Sequence, residues 1–198
     1  MKIAKKHYGI IAAVAVVLLL VLWAVSGYNT LVTMDEQVSN KWADVETQYQ
    51  RRADLIPNLV STVKGYATHE SSTLESVVKA RSEATQVTVS ADALTEESLA
   101  AYQAAQNSVS SALGRLLAVA ESYPELKANE NFIELQSQLE GTENRITVAR
   151  KEYNDEAKTY NTAVRRFPKN ILASLFGFDK KAYFAAETGA EKAPTVEF

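Results

Sequence analysis

Cysteine is absent from the 198 residues, which excludes disulfides, thiolate zinc sites and thiol nucleophiles. Only 7 glycines and 4 prolines interrupt the chain, so few positions force a helix to stop and long helices follow. Histidine is equally scarce, with two in all. His7 lies in the N-terminal flank, and His69 is followed by Glu-Ser-Ser-Thr, so no HExxH is formed. Tyr66 stands three residues before His69, where a di-iron bundle would need glutamate. No GxSxG, glycine-rich phosphate loop or GKS/T occurs. These absences lead us to expect no catalytic residue, no metal, no cofactor and a protein that is not an enzyme. Of 21 lysines and arginines three precede residue 27, and all 24 acids follow it. The acidic remainder argues against nucleic acid as a partner.

What is present begins with one apolar run. Tyr8 to Val25 carry no charge, and the next charged residue is Asp35. Eighteen helical residues reach about 27 Å, close to a bilayer core. The run holds eleven Leu, Ile and Val residues, which favour insertion by roughly 3 to 7 kcal/mol. Tyr8 marks one aromatic belt, Trp23 and Tyr28 the other. Lys2, Lys5 and Lys6 place the N-terminus in the cytoplasm and the following domain outside it. Two alternatives stand beside this: inverted topology, and a signal peptide cleaved after the small residues Ala24 and Ser26. The chain divides into a basic N-terminus (1–7), a membrane helix (8–27), a helical domain (28–184) and a flexible tail (185–198).

Beyond the run, apolar residues recur at helical spacing. Val38, Trp42, Val45 and Tyr49 form the stripe of a helix from Tyr28 to about Ala53. Pro57 cannot donate to Ala53, so we expect a new helix near Leu55, with Asp54 as its cap and Pro57 and Asn58 fixing the junction. A single bent helix is the alternative. The second helix then carries Leu59, Val63, Tyr66, Leu74 and Val77 to about Thr85. Residues 86–94 read as loose. Thr95 caps a third helix bearing Leu99, Tyr102, Val109, Leu113, Leu116, Ala120 and Tyr123. Asn131 and Glu134 resemble a capping box. A fourth helix holds Phe132, Leu135, Leu139, Ile146, Ala149, Tyr153, Tyr160, Ala163 and Phe167. Pro168 stops it, and NILASLFGF suggests a short apolar helix. The expected fold is all-α, an antiparallel four-helix up-and-down bundle behind one N-terminal transmembrane helix.

Several blocks resemble the LemA family of bacterial membrane-anchored helical proteins. They are YNTLV (28–32), QRRADLIPNLVSTVKGYATHE (50–70), ARKEYNDEAKTYN (149–161), RRFP (165–168), FGF (176–178) and the closing PTVEF. The resemblance implies a single anchor plus a four-helix bundle in the bacterial cytoplasmic (inner) membrane, with a periplasmic domain. It implies no particular chemistry. Its context makes the lipid bilayer and membrane or envelope proteins, membrane proteases among them, the partners to expect. Family descriptions place the short N-terminus outside the cell; the three lysines argue for the opposite.

Candidate binding residues remain. Arg51 and Arg52 beside Asp54 suit an anionic ligand or partner loop, or a helix junction. His69 and Glu70 read as an acid–base pair or as a polar helix face. Tyr153-Asn154 and Tyr160-Asn161 repeat at heptad spacing and read as core aromatics whose hydroxyls find partners on the second helix. Val196 and Phe198 flank Glu197 in an end that could add as a strand to a partner's groove. Deleting residues 194–198 should then release a co-purifying protein. The leading expectation is a non-enzymatic membrane-tethered scaffold or adaptor. A homo-oligomeric membrane-shaping element and a small-ligand or enzyme site around His69, Arg52 and Glu70 are the alternatives.

Overall fold

One helix of 63 residues, α1 (Lys2–Lys64), carries both the apolar run and the first stripe of the domain. The structure is a computed structural model describing residues 2–185, with side chains from residue 7 onward. Val196 and Phe198 lie outside the described residues. The apolar window of α1 has a mean hydropathy of 2.8, and none of it is buried in the fold. A soluble core helix would bury such a surface. By length and composition this helix can cross a membrane. Gly27 does not weaken it. That glycine is buried, and a Cβ there would sit 2.5 Å from the Cδ1 of Leu172, so its bareness lets a later helix approach.

The expected break at Pro57 is corrected: α1 runs straight through it, and Asp54 caps nothing. Pro57 leaves the Ala53 carbonyl without its intrahelical donor. Arg81 supplies one from the next helix, Nε donating to that carbonyl at 2.7 Å. The real break comes at residues 65–70, where Gly65, a poor helix former, precedes a tight turn around the fully buried Ala67. No stripe is stranded by the long helix. Its part from Tyr28 to Lys64 matches the 36 residues of the helix it packs against most. Arg81→Met should cost about 1–2 kcal/mol by orphaning the half-buried carbonyl. In a Pro57→Ala background, which restores an N–H, the same change should cost less. A double-mutant cycle on urea midpoints measures the difference.

The described residues form six α-helices rather than four. After α1 come α2 (Ser71–Gln86), α3 (Glu96–Ala120), α4 (Pro124–Lys127), α5 (Glu130–Arg165) and α6 (Lys169–Phe176), with a 3-10 turn at Ala91–Ala93. No strand occurs among the described residues. Thr95 caps α3 as expected, in a reciprocal box with Ser98. The cap of α5 is Asn129, which accepts from the Phe132 N–H at 3.0 Å. That replaces the Asn131–Glu134 box, because Asn131 already lies inside the first turn. Pro124 opens the short α4 instead of merely ending α3. A left-handed Gly177, φ 74°, ends α6, a conformation glycine adopts without strain.

Two hydrophobic clusters fill the domain. The distal one joins α1 from Ile56 to Val63 and Ala67 of the following turn with α2, the second half of α3, Leu126 and the start of α5. The proximal one, nearer the apolar run, joins α1 from Leu31 to Tyr49 with Leu99 and Tyr102 of α3, α5 from Ile146 to Val164, and α6. With 16 residues α2 is too short to reach this half. Its place is taken by residues 87–94 and by an extended strap, residues 179–185, which contribute Val89, Leu94, Ala182 and Phe184. Between the clusters the stripes step by seven, from Tyr49 to Ile56, Tyr102 to Val109 and Leu139 to Ile146. The layer skipped is polar: Arg52, Gln106 and Thr142, all buried.

Candidate functional site

The two Tyr-Asn pairs of α5 build a clamp for an extended backbone. Asn161 donates from Nδ2 to the Lys181 carbonyl at 2.8 Å, and its Oδ1 accepts from the Lys181 N–H at 2.9 Å. Asn154 repeats this on Phe184, donating at 3.1 Å and accepting at 2.9 Å. A side-chain amide presents the same donor and acceptor as a neighbouring strand, so each asparagine satisfies both backbone groups of one residue. The spacing fits. Two helical turns rise about 10.5 Å, and three extended residues cover about 10 Å. Tyr153 adds a hydroxyl bond to the Ala182 carbonyl at 2.9 Å. The hydroxyl partner expected on the second helix is therefore corrected to the strap.

Side-chain seats complete the clamp. Phe184 stacks on Trp42 at 6.0 Å, meets Tyr153 edge-on at 5.5 Å, and lies under the Arg150 guanidinium at 4.8 Å. Trp42 is fixed in turn by its Nε1 bond to the Val89 carbonyl at 3.0 Å. At the other end Lys181 pairs with Asp35 at 3.0 Å, donates to the Ala91 carbonyl at 3.1 Å and lies over the Tyr160 ring. The Ala185 carbonyl accepts from Gln103 at 3.1 Å and Arg150 at 3.2 Å. Chemically this is a groove that reads a peptide by its backbone and by one aromatic anchor. The heptad repeat of Tyr-Asn was the available sequence signal. The strap itself has no periodicity to announce it.

Arg52 does something different from what its sequence position beside Arg51 and Asp54 implies. It is 2% exposed. One guanidinium nitrogen donates to Ser110 Oγ and Glu143 Oε1, both at 2.7 Å. The other donates to the Gln106 carbonyl at 3.0 Å and to its Oε1 at 2.7 Å. Its plane also lies 5.0 Å from the Tyr49 ring centre. Arg52 thus ties α1 to α3 and α5 in the polar layer. Beside it is a cavity of about 140 Å³ bordered by Glu46, Tyr49, Arg81, Tyr102 and Gln106. Burial raises the Glu46 carboxyl above its ordinary pKa.

The other sequence candidates are dispersed. Arg51 is exposed, as are Asp54, Pro57 and Asn58; Asp54 accepts from Gln50 at 2.7 Å, and the Asn58 carbonyl from Thr62 at 2.9 Å. His69 and Glu70 fall in the turn after α1, about 18 Å or more along the helix from Arg52. His69 is exposed, and Glu70 accepts from the Tyr123 hydroxyl at 3.2 Å. The structure therefore does not bring Arg52 together with His69 and Glu70. Among the described residues no three His, Asp or Glu side chains converge as a metal site needs.

Burial also raises the phenol pKa of Tyr49, Tyr102, Tyr153 and Tyr160 above the ordinary 10.0. The fold holds protons that the unfolded chain releases near pH 10. This stabilisation is complete below pH 10 and falls as pH rises from there through the folded values. Urea midpoints should be flat from pH 8 to about 9.5 and drop steeply by about pH 11.

The model of the LemA family matches residues 41–198, a span that contains the polar layer, the clamp and the strap. The chain is 30% identical over 174 residues to Magnetosome protein MamQ 1 of Paramagnetospirillum magneticum, covering 79% of this chain and 64% of that protein. It is 29% identical over 174 residues to Magnetosome protein MamQ of Magnetospirillum gryphiswaldense, with the same coverage, 79% and 64%. It is 22% identical over 158 residues to Protein LemA of Metamycoplasma hominis, covering 80% of this chain and 68% of that protein. The chain thus spans less than two thirds of the magnetosome proteins it matches.

Proposed function

Because the chain belongs to the LemA family, we propose that it works as a membrane-anchored, non-enzymatic scaffold whose helical domain is held rigidly against one bilayer surface. The observation that carries this is the unbroken 63-residue α1. The same helix is apolar on every side from Tyr8 to Val25 and supplies core residues from Leu31 to Val63. No linker separates the two parts, so the domain takes its position and tilt from the span. A domain on a flexible tether would sweep its surroundings; this one presents fixed faces to neighbours in the membrane. The buried polar side chains support the same reading. Arg52, Gln106 and Asn161 are engaged by other helices or by the strap, as structural groups are. In this reading the N-terminus lies in the cytoplasm of a bacterial cell and the domain on the far side of its inner membrane, an orientation that the positive charge of Lys2, Lys5 and Lys6 supports. Membrane or envelope proteins are its partners in this reading, membrane proteases among them.

The full chain should stay in the membrane fraction through alkaline carbonate washing. A C-terminal reporter active only outside the cytoplasm should be active. Release by carbonate would remove the anchor, and a reporter active only in the cytoplasm would reverse the orientation. Photo-cross-linking from exposed positions in native membranes should capture specific membrane proteins. Recovery of the chain alone, or of its own copies, would count against a scaffold of other proteins.

A further inference from the structure

Outside the apolar span, exposed large hydrophobic side chains are mostly scattered, but four gather at one place. Phe167, Ile171, Leu175 and Phe176 are 77%, 54%, 72% and 52% exposed. They belong to α6 and the turn before it. The opposite face of α6 is seated, since Leu172 and Ala173 are in the proximal core. That seat fixes where the exposed face lies. Leu172 packs against Gly27, and the Phe176 ring meets Tyr28 edge-on at 4.9 Å. Tyr28 is three residues past Val25, the end of the apolar run, or about 4.5 Å along the helix. With α1 as the anchor, the exposed face of α6 falls at the level where the bilayer ends and its head groups begin. The charge there is opposite to that of the domain. Between residues 165 and 180 four basic residues, beginning with Arg165, Arg166 and Lys169, face a single acid, Asp179.

We propose that α6 is a second membrane contact, lying flat in the interface of an anionic bilayer, with its apolar face in the acyl boundary and its basic neighbours on the lipid phosphates. This rests on the reading of α1 as an anchor. A helix whose exposed face is apolar and whose ends are flanked by lysine and arginine suits the plane of an anionic membrane surface. Here it would fix the rotation and tilt of α1 in the bilayer, and with them those of the domain that α1 carries. A protein partner is the competing occupant. Continuity of the patch with the lipid-facing surface of α1, and the local basic excess, favour lipid.

The absence of cysteine permits a direct test in the full chain. Leu175→Cys, Leu20→Cys and Ser61→Cys variants, each carrying an environment-sensitive NBD dye, are reconstituted in vesicles of phosphatidylcholine with phosphatidylglycerol. All three positions are exposed, so folding is preserved, and circular dichroism checks it. Lipids brominated near the head group should quench the dye at position 175 and shift its emission to the blue. The dye at position 20 should be quenched by deeply brominated lipid, and that at position 61 by neither. Neutralising Arg165, Arg166 and Lys169 to glutamine should reduce quenching at 175 roughly twofold or more in anionic vesicles, and little in pure phosphatidylcholine. An unquenched dye at 175 with a quenched dye at 20 would overturn the proposal and leave the anchor intact. Failure at both positions would overturn the anchor as well. Quenching at 175 that ignores both lipid charge and the three glutamines would remove the phosphate contact.

Discussion

Replacing Arg52 by methionine is expected to destabilise the domain by about 3 kcal/mol. Methionine keeps most of the buried volume, so the loss comes from polar groups rather than from a cavity. Removing one partner of a buried pair commonly costs about 3–5 kcal/mol. Here Glu143 is 43% exposed and regains water, which places the effect at the low end. The Gln106 side-chain oxygen loses its donor in a buried layer, while its carbonyl, also facing Arg52, keeps its helical bond within α3. Lysine should recover less than half of the loss. A single ammonium cannot reach two helices with the fork geometry that the guanidinium uses. Glu143→Gln should cost about 1 kcal/mol or less. Urea unfolding of the three variants in detergent, followed by circular dichroism, measures these differences. An Arg52→Met loss under 1 kcal/mol would show that the layer does not hold α1, α3 and α5 together.

Cutting Phe184 to alanine should free the strap. A buried phenylalanine reduced to alanine costs about 3–5 kcal/mol when the whole fold must bear it. The strap is a terminal element of the described fold and can undock alone, so the loss should appear first as local opening. Asn154→Ala with Asn161→Ala removes four hydrogen bonds to backbone and should shift the same equilibrium by about 2–3 kcal/mol, or roughly 30- to 150-fold. Asn161→Asp keeps the acceptor and loses the donor, so it should open the strap as well. Proteolysis within residues 179–185 should accelerate by those factors while the urea midpoint moves less. Trp42, which loses its stacked ring, should report the change by fluorescence. Equal falls in protease resistance and global stability would mean that the strap and the bundle unfold as one unit.

Much of this fold was legible as stripes. Trp42, Tyr49, Leu59, Val63, Leu99, Leu139, Ile146 and Tyr153 were read as core residues and are buried. Thr95 was read as a cap and is one. Arg52 shows what stripe reading passed over. It stands three residues after Tyr49 and four before Ile56, both buried, which is itself a core position. An arginine there signals a buried tie rather than a surface ligand. Pairing it with Arg51 and Asp54, its exposed sequence neighbours, pointed the wrong way because adjacent helical residues face different directions.

By itself the sequence determined the apolar run, most of the covered face of each helix and the start of α3; Tyr66 and Phe167, read into stripes, are exposed, and α5 starts from Asn129 rather than Asn131. Periodicity and caps are local, and every residue needed to read them lies within a few turns. Three matters were left to the tertiary structure. Pro57 is tolerated within α1 because Arg81, on another helix, takes over the Ala53 carbonyl. The second half of α2's place is filled by a strap that has no helical pattern, held by asparagines roughly 20 to 30 residues earlier in the chain. And α6 is carried to the foot of the apolar span by its contact with Gly27. In each case a polar or bare backbone group is completed by a distant segment, and propensity carries no record of such partners.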